Sequence, residues 1–220
     1  MRGTARLISI SKPVIPELST PEELIAYCAR VSNPNNQLNN DTAANLIKYC
    51  ADNAHWSIFE TVFLTIEIEC SRDIGRQILR HRSFSFQEFS QRYAKVDENS
   101  FTNRECRLQD SKNRQNSIEV EDRDLAEWFR TKQDTMIRYA QEAYYEALEK
   151  GIAKEQARCL LPEGLTMSRM YVSGSLRSWI HYCNLRCAKG TQKEHRKIAN
   201  ACKAIVLEHF PSLDKILNET

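Results

Sequence analysis

The 220-residue sequence holds no stretch that a bilayer would accept: its longest apolar-leaning stretch, Thr61 to Cys70, is about ten residues and carries two glutamates, where a spanning helix needs about twenty apolar residues. The N-terminal stretch has charge at Arg2 and Arg6 but lacks the apolar core and small-residue cleavage site of a signal peptide, so a cytoplasmic location is expected. Neither charge sign is in excess. With 31 basic and 29 acidic residues the formal net charge is +2, which excludes a partner chosen by bulk electrostatics and makes any anion site a local one. Among eight cysteines there is no Cys-x-x-Cys pair, which excludes a zinc ribbon or thioredoxin-like motif. Most of them read as reduced small core residues, and no metal site is expected. Internal repeats and composition breaks are also missing, so residues 1–220 are expected to form one domain. The apolar fraction of 41% and charged fraction of 27% leave no room for a disordered or fibrous chain.

The local patterns predict a mixed α+β class with helices dominant, an antiparallel sheet flanked by several helices. Arg6 to Ile10 reads as a short strand, and Thr20-Pro21-Glu22-Glu23 as a capping box opening a helix to about Ser32. After the Asn33–Asn36 loop, Asp41 is expected to cap a second helix with Ala44, Ile47 and Cys50 inward. Thr61 to Cys70 alternates as a strand with one wet face, and the chain turns helical from Ser71. Ser83 to Tyr93 reads as extended, and residues 97–124, polar and rich in Asn, Arg, Glu and Ser, as a mobile surface loop. Helices are expected over Leu125–Lys150, stopped by Gly151, and over Ala153–Leu161, ending before Pro162. A strand from Leu165 to about Ser173 precedes helices at Ser175–Cys187 and Thr191–Phe210, the last opened by a capping box at Thr191–Glu194.

Chemistry concentrates where arginine does. Residues 72, 76, 80, 82, 92, 104 and 107 are arginines, with Lys95 alone representing lysine in that stretch. Arginine's rigid, permanently charged fork suits a fixed phosphate or carboxylate better than lysine does. On an extended segment Glu88, Ser90 and Arg92, at i, i+2 and i+4, share one face and offer a carboxylate, a hydroxyl and a guanidinium to a nucleotide.

Arg80-His81-Arg82, then seven residues, then Ser90 resembles the signature of the flavin-dependent thymidylate synthases. His55-Trp-Ser-Ile-Phe-Glu60 resembles that family's His-x-x-x-Phe-Glu element. Ala157-Arg158-x-x-Leu161-Pro162 and Leu176-Arg177-x-x-x-His181-x-x-Asn184-Leu185-Arg186 follow in the family's order. The four matches cover roughly residues 50 to 190. The resemblance implies transfer of a methylene from methylenetetrahydrofolate to dUMP, reduced by a hydride from FADH2 that NADPH regenerates, giving dTMP and tetrahydrofolate.

By the same resemblance Gln77, Arg80, Glu88, Phe89, Ser90, Gln91, Arg92 and Arg158 would line the dUMP pocket. Arg186 would be the catalytic residue, favouring ionisation at uracil N3 and so raising electron density at C5. Ser57, Glu60, Arg80, His81, Arg82, Ser83, Glu88, Ser175, Arg177 and His181 would hold FAD, and His55 would sit where folate and flavin meet. At about 100° per residue Arg177 and His181 share a helix face and Arg186 points roughly the opposite way, so one helix would serve two surfaces. That fits the family's homotetramer with shared active sites. One departure is Ser175, where many relatives carry Asn; a hydroxyl replaces the amide contact only in part.

Bland alternatives stand beside these roles. His55 and His81 alone read as ordinary surface or capping histidines, and Arg177 with His181 as a solvated helix face. Ser90 has no sequence-adjacent histidine base and reads as a binding hydroxyl. The unrelated thymidylate synthases use a cysteine in a Pro-Cys-His setting, which this chain lacks, and Cys183 and Cys187 read as packing. A nonenzymatic nucleic-acid-binding protein is the rival reading, with Arg72 to Arg107 on phosphates and Phe84, Phe86 and Phe89 as stacking platforms. A second rival is a flavoprotein that kept the site and changed the reaction.

Overall fold

The first strand, β1 (Thr4–Ile10), forms where expected in the computed structural model, which describes residues 3–218; Arg2 lies outside them. Helix α1 (Pro21–Ala29) opens with the complete capping box: Thr20 accepts from the Glu23 backbone N–H, and the Glu23 carboxylate accepts from the Thr20 N–H. It ends three residues before Ser32, at the C-cap residue Arg30, whose side chain bonds to the Asn39 carbonyl and the Thr42 hydroxyl. Helix α2 (Ala43–Asp52) starts after Thr42, not Asp41, and buries Ala43, Ile47, Cys50 and Ala51. Ala44 is exposed, because the apolar stripe follows i, i+4, i+7, i+8 from Ala43.

A 3-10 turn (Trp56–Glu60) leads into β2 (Phe63–Ser71), followed at once by α3 (Arg72–Ile78) and then β3 (Ser85–Glu88). Residues 97–124, expected as a mobile surface loop, contain a short hairpin of β4 (Arg107–Gln109) and β5 (Ser117–Glu119). Asp122 caps the long α4 (Arg123–Glu149), and Gly151, at φ 81°, stops it. The helix expected over 153–161 is a single turn, α5 (Lys154–Ala157), continued by a 3-10 turn (Arg158–Leu160). Strand β6 (Met167–Ser175) runs straight into α6 (Leu176–Arg186), then α7 (Lys193–His209) and α8 (Asp214–Asn218). The capping box expected at Thr191 does not form. Gln192 is the N-cap residue, Thr191 donates to the Leu185 carbonyl, and Arg107 occupies the Glu194 carboxylate that would have reached back.

The four-stranded sheet has the order β1-β2-β6-β3 and is antiparallel throughout. Its inner face carries Leu64, Ile66, Ile68, Met170 and Val172, packed on Trp179, Ile180 and Tyr182 of α6 and Ile198, Cys202 and Val206 of α7. Its outer face leaves Ile8, Phe63 and Tyr171 exposed. A smaller apolar cluster of Val96, Tyr144, Ala147, Ala157 and Leu161 fastens the chain after residue 93 beneath α4. Among the described residues no helix is long and apolar enough to cross a membrane, and no group of His, Cys, Asp and Glu is arranged to hold a metal ion.

Candidate functional site

β2 and β6 pair over nine positions, from Phe63 opposite Ser175 to Ser71 opposite Met167. Those ends lie about 27 Å apart at the rise of a strand. The candidate residues distribute along this length in three groups.

At the Ser175 end, Arg177 of α6 meets Glu60 of the 3-10 turn at 2.5 Å, and the His181 ring lies 4.8 Å from that of Trp56. Both residues thus face the Trp56–Glu60 turn, as the helical angle requires. Burial, then the Arg177 charge, lower the His181 pKa. Ser57 is exposed on the turn. His55, exposed just before it, sets its ring edge-on to Tyr49 at 5.9 Å. Ser175 is buried, and its hydroxyl is the N-cap of α6, accepting from the Ser178 N–H.

The second group is built on the turn from Arg80 to Phe84, which enters β3 opposite Ser173 and so lies at the same end of the sheet as the first. His81 N–H donates to the Ile78 carbonyl and Phe84 N–H to the His81 carbonyl, closing the turn locally. Two contacts fasten it to α6: Ser178 Oγ donates to the Ser83 carbonyl at 3.3 Å, and Arg186 Nε donates to His81 Nε2 at 2.9 Å. Phe84 packs on Trp179 at 4.6 Å, and Gly174 makes room for its ring, because a Cβ there would overlap it. Burial, then Arg186, hold the His81 pKa down at about 4, so its imidazole is neutral and free to accept. Arg80 and Arg82 are exposed on this turn.

At the Met167 end the extended chain stops early. Phe89 N–H still bonds to Arg169 O, but Ser90 O then accepts from Tyr93 and Ala94, so residues 90–94 turn. The alternation that placed Glu88, Ser90 and Arg92 on one face therefore does not reach Arg92. Glu88 is held by Arg72 at 3.2 Å and by the Ser168 hydroxyl at 3.0 Å. Arg92 reaches Glu155 at 3.2 Å, whose backbone carbonyl also accepts from Arg158 Nε. Gln91 is buried, and its Nε2 has no hydrogen-bond partner; the same holds for Asn184 Oδ1 on α6.

Much of the arginine-rich stretch is committed to carboxylates, while Arg80 and Arg82 stay exposed. Arg72, Arg92, Arg104 and Arg107 are engaged with Glu88, Glu155, Asp73 and Glu194, and Phe84 is buried. These pairs differ in kind. The exposed Glu60–Arg177 and Arg92–Glu155 pairs are worth at most about 1 kcal/mol and open readily to a ligand. The Arg107–Glu194 pair is largely buried, so separating it strands a desolvated charge. Burial works against the Glu194 carboxylate, yet hydrogen bonds from Arg107 and Gln192 bring its pKa below the usual range.

Sequence reasoning missed His195, which is fully buried and joins Tyr182 to Gln77. The signal existed: 195, 198, 199, 202 and 206 form the apolar stripe of α7.

A family model described as thymidylate synthase complementing protein matches residues 14–212. The chain belongs to the flavin-dependent thymidylate synthases. Among its relatives in this family, a probable flavin-dependent thymidylate synthase of Paramecium bursaria Chlorella virus 1 is 54% identical over 98% of this chain and 99% of its own length. A flavin-dependent thymidylate synthase of a Synechocystis strain is 51% identical over 94% of this chain and 96% of its own. The fold of this family member is similar to that of the UMP/dUMP methylase PolB from Streptomyces cacaoi, solved with 5-Br dUMP. The TM-score is 0.84 at 23% identity, covering 99% of this chain and 95% of that one.

Proposed function

We propose that the chain converts dUMP to dTMP, taking a methylene from methylenetetrahydrofolate and releasing tetrahydrofolate. The near full-length identity to flavin-dependent thymidylate synthases supports this, and the contact that carries it is Arg186 on His81. It holds the Arg80–Ser83 turn against the helix whose other face carries Arg177 and His181. When bound, FAD reduced by NADPH supplies the hydride that completes the methyl group.

The residues present fit such ligands: of four buried side-chain polar atoms without partners, two lie on Gln91 and Asn184, and readily opened ion pairs flank both ends. Gln77, Arg80, Phe89, Ser90, Gln91, Arg92 and Arg158 would seat dUMP. Glu88, its carboxylate committed to Arg72 and Ser168, would contribute backbone groups to dUMP and flavin. Ser57, Glu60, Arg80, His81, Arg82, Ser83, Arg177 and His181 would hold FAD, and His55 would stand where folate meets it. Ser175 would act on the flavin through its neighbours, because its hydroxyl is spent on capping α6.

In the reaction Arg186 acts on the uracil. With Nε committed to neutral His81, its guanidinium plane is fixed and substrate contact falls to the two Nη groups. A fixed positive charge there favours loss of the N3 proton and raises electron density at C5, so no enzyme nucleophile is required.

The division of the candidate residues between the two ends of the sheet supports a site shared between subunits of a homotetramer. Exposed apolar side chains on the outer sheet face and on α4 (Trp128, Met136, Tyr139) support the same assembly. The test is dTMP formation by purified protein supplied with FAD, NADPH, methylenetetrahydrofolate and dUMP. A protein that binds no flavin, or that forms no dTMP, refutes the proposal.

A further inference from the structure

A one-way chain of hydrogen bonds runs from the exposed Gln192 inward to the buried His195 and Tyr182, beside the Arg80–Ser83 turn. Arg107 donates to Glu194 at 2.7 Å, which keeps that carboxylate ionised and able only to accept. Gln192 must therefore present its Nε2 to Glu194, at 3.0 Å, which turns its Oε1 toward Gln77. Gln77 answers with Nε2, at 2.8 Å, and so aims its own Oε1 at His195 Nδ1, at 3.1 Å. An amide oxygen only accepts, so the proton of the imidazole sits on Nδ1. Nε2 is then left to accept from the Tyr182 hydroxyl at 3.2 Å. Reversing any one amide would oppose two acceptors and break the sequence.

Gln77 is the only member of this chain in the proposed dUMP pocket. We propose that His195 is a positioning residue for Gln77, locking its side-chain amide so that the remaining Nε2–H donor is presented to the nucleotide. This rests on the reading that Gln77 seats dUMP. His195 suits the task because it is fully buried and neutral: burial, then Arg186 and His81, hold its pKa down at about 3. Tyr182 keeps its proton because burial raises its pKa well above the ordinary value. The unpaired N–H of Gln77 is a donor, which matches the oxygens of a phosphate or a uracil carbonyl and rejects a ligand donor in the same place.

The first measurement uses no substrate. In flavin-loaded enzyme labelled with 15N-histidine, the His195 ring, assigned by its loss in His195→Asn, should show the proton on Nδ1. A proton on Nε2 overturns the proposal. The second is kinetic. His195→Phe should raise KM for dUMP about tenfold with kcat little changed, the size of one fixed hydrogen bond. His195→Asn, whose Nδ2 stands near the lost Nδ1, should recover most of it. Gln192→Met tests the same lock from an exposed position and should raise KM in the same direction. In a Gln77→Ala background His195→Phe should add nothing to KM; an undiminished effect there means that His195 acts elsewhere and overturns the proposal. Absence of dTMP formation by the wild type would sink the functional reading instead, and the ring spectrum would still decide the hydrogen-bond chain.

Discussion

Arg186 and His81, 105 residues apart in sequence, meet through one hydrogen bond of 2.9 Å, in which the guanidinium Nε donates to a neutral imidazole. The bond makes the fork's geometry, and not only its charge, part of the site. Arg186→Lys keeps the charge but loses the planar donor set. Both Arg186→Lys and Arg186→Ala are expected to lower dTMP formation about 100- to 1,000-fold, the range for removal of one fixed charge-stabilising donor. Release of tritium from C5 of dUMP reads the same step, and full activity in the alanine variant would disprove the role.

Of the three histidines with lowered pKa, the two most depressed make stability depend on acid. His81 titrates at about 4 and His195 at about 3, whereas an unfolded imidazole titrates near ~6.5. Below that value the unfolded chain binds protons that the folded chain refuses, so stability is complete above pH ~6.5 and declines as pH falls toward 4 and then 3. Melting temperature should drop steadily on acidification from pH 7, and His195→Asn should show a shallower drop. An equal slope in that variant would remove His195 from the account.

Gly174→Ala should push the Phe84 ring from its seat on Trp179. A loss of about 1–3 kcal/mol in urea unfolding is expected for overpacking of this kind, together with weaker flavin retention, because Phe84 anchors the Arg80–Ser83 turn. Unchanged stability would mean that the ring moves freely.

Ser175→Ala removes the N-cap of α6 and should cost about 1 kcal/mol, while Ser175→Asn, also a capping residue, should hold stability near the parent value. Equal losses in both, read by denaturant midpoint, would contradict the capping assignment.

Glu194→Gln takes from the largely buried Arg107 its buried counter-charge and leaves it only the more exposed Glu105. A loss of about 3–5 kcal/mol is typical of such a break. Amide hydrogen exchange should rise first in residues 107–119, the hairpin that Arg107 ties to α7. Exchange unaltered there would show the pair to be dispensable.

What could be read in advance was local or compositional. The Thr20 capping box, the Gly151 stop, the alternation of β2 and the opposed faces of Arg177 and Arg186 each depend on neighbours within a few residues, so spacing alone carries them. Expectations failed where a distant residue took the group they relied on. Arg107, 87 positions away, takes Glu194 and undoes the Thr191 box. The turn at Ser90 removes Arg92 from the face it was to share with Glu88. His195 looked like one more polar residue in Lys-Glu-His-Arg, and only the packing of α7 against α6 shows that it is interior.

Between Arg177 and Arg186 helix α6 rises about 13.5 Å and turns half a revolution beyond whole turns. It acts as a ruler, setting distance and heading together for the contacts at its two ends. One extra residue after His181 would leave Arg177 on Glu60 but swing Arg186 by about 100° off His81. Tolerance to changes of length therefore belongs to the exposed hairpin tip at 111–116, and α6 has none to give.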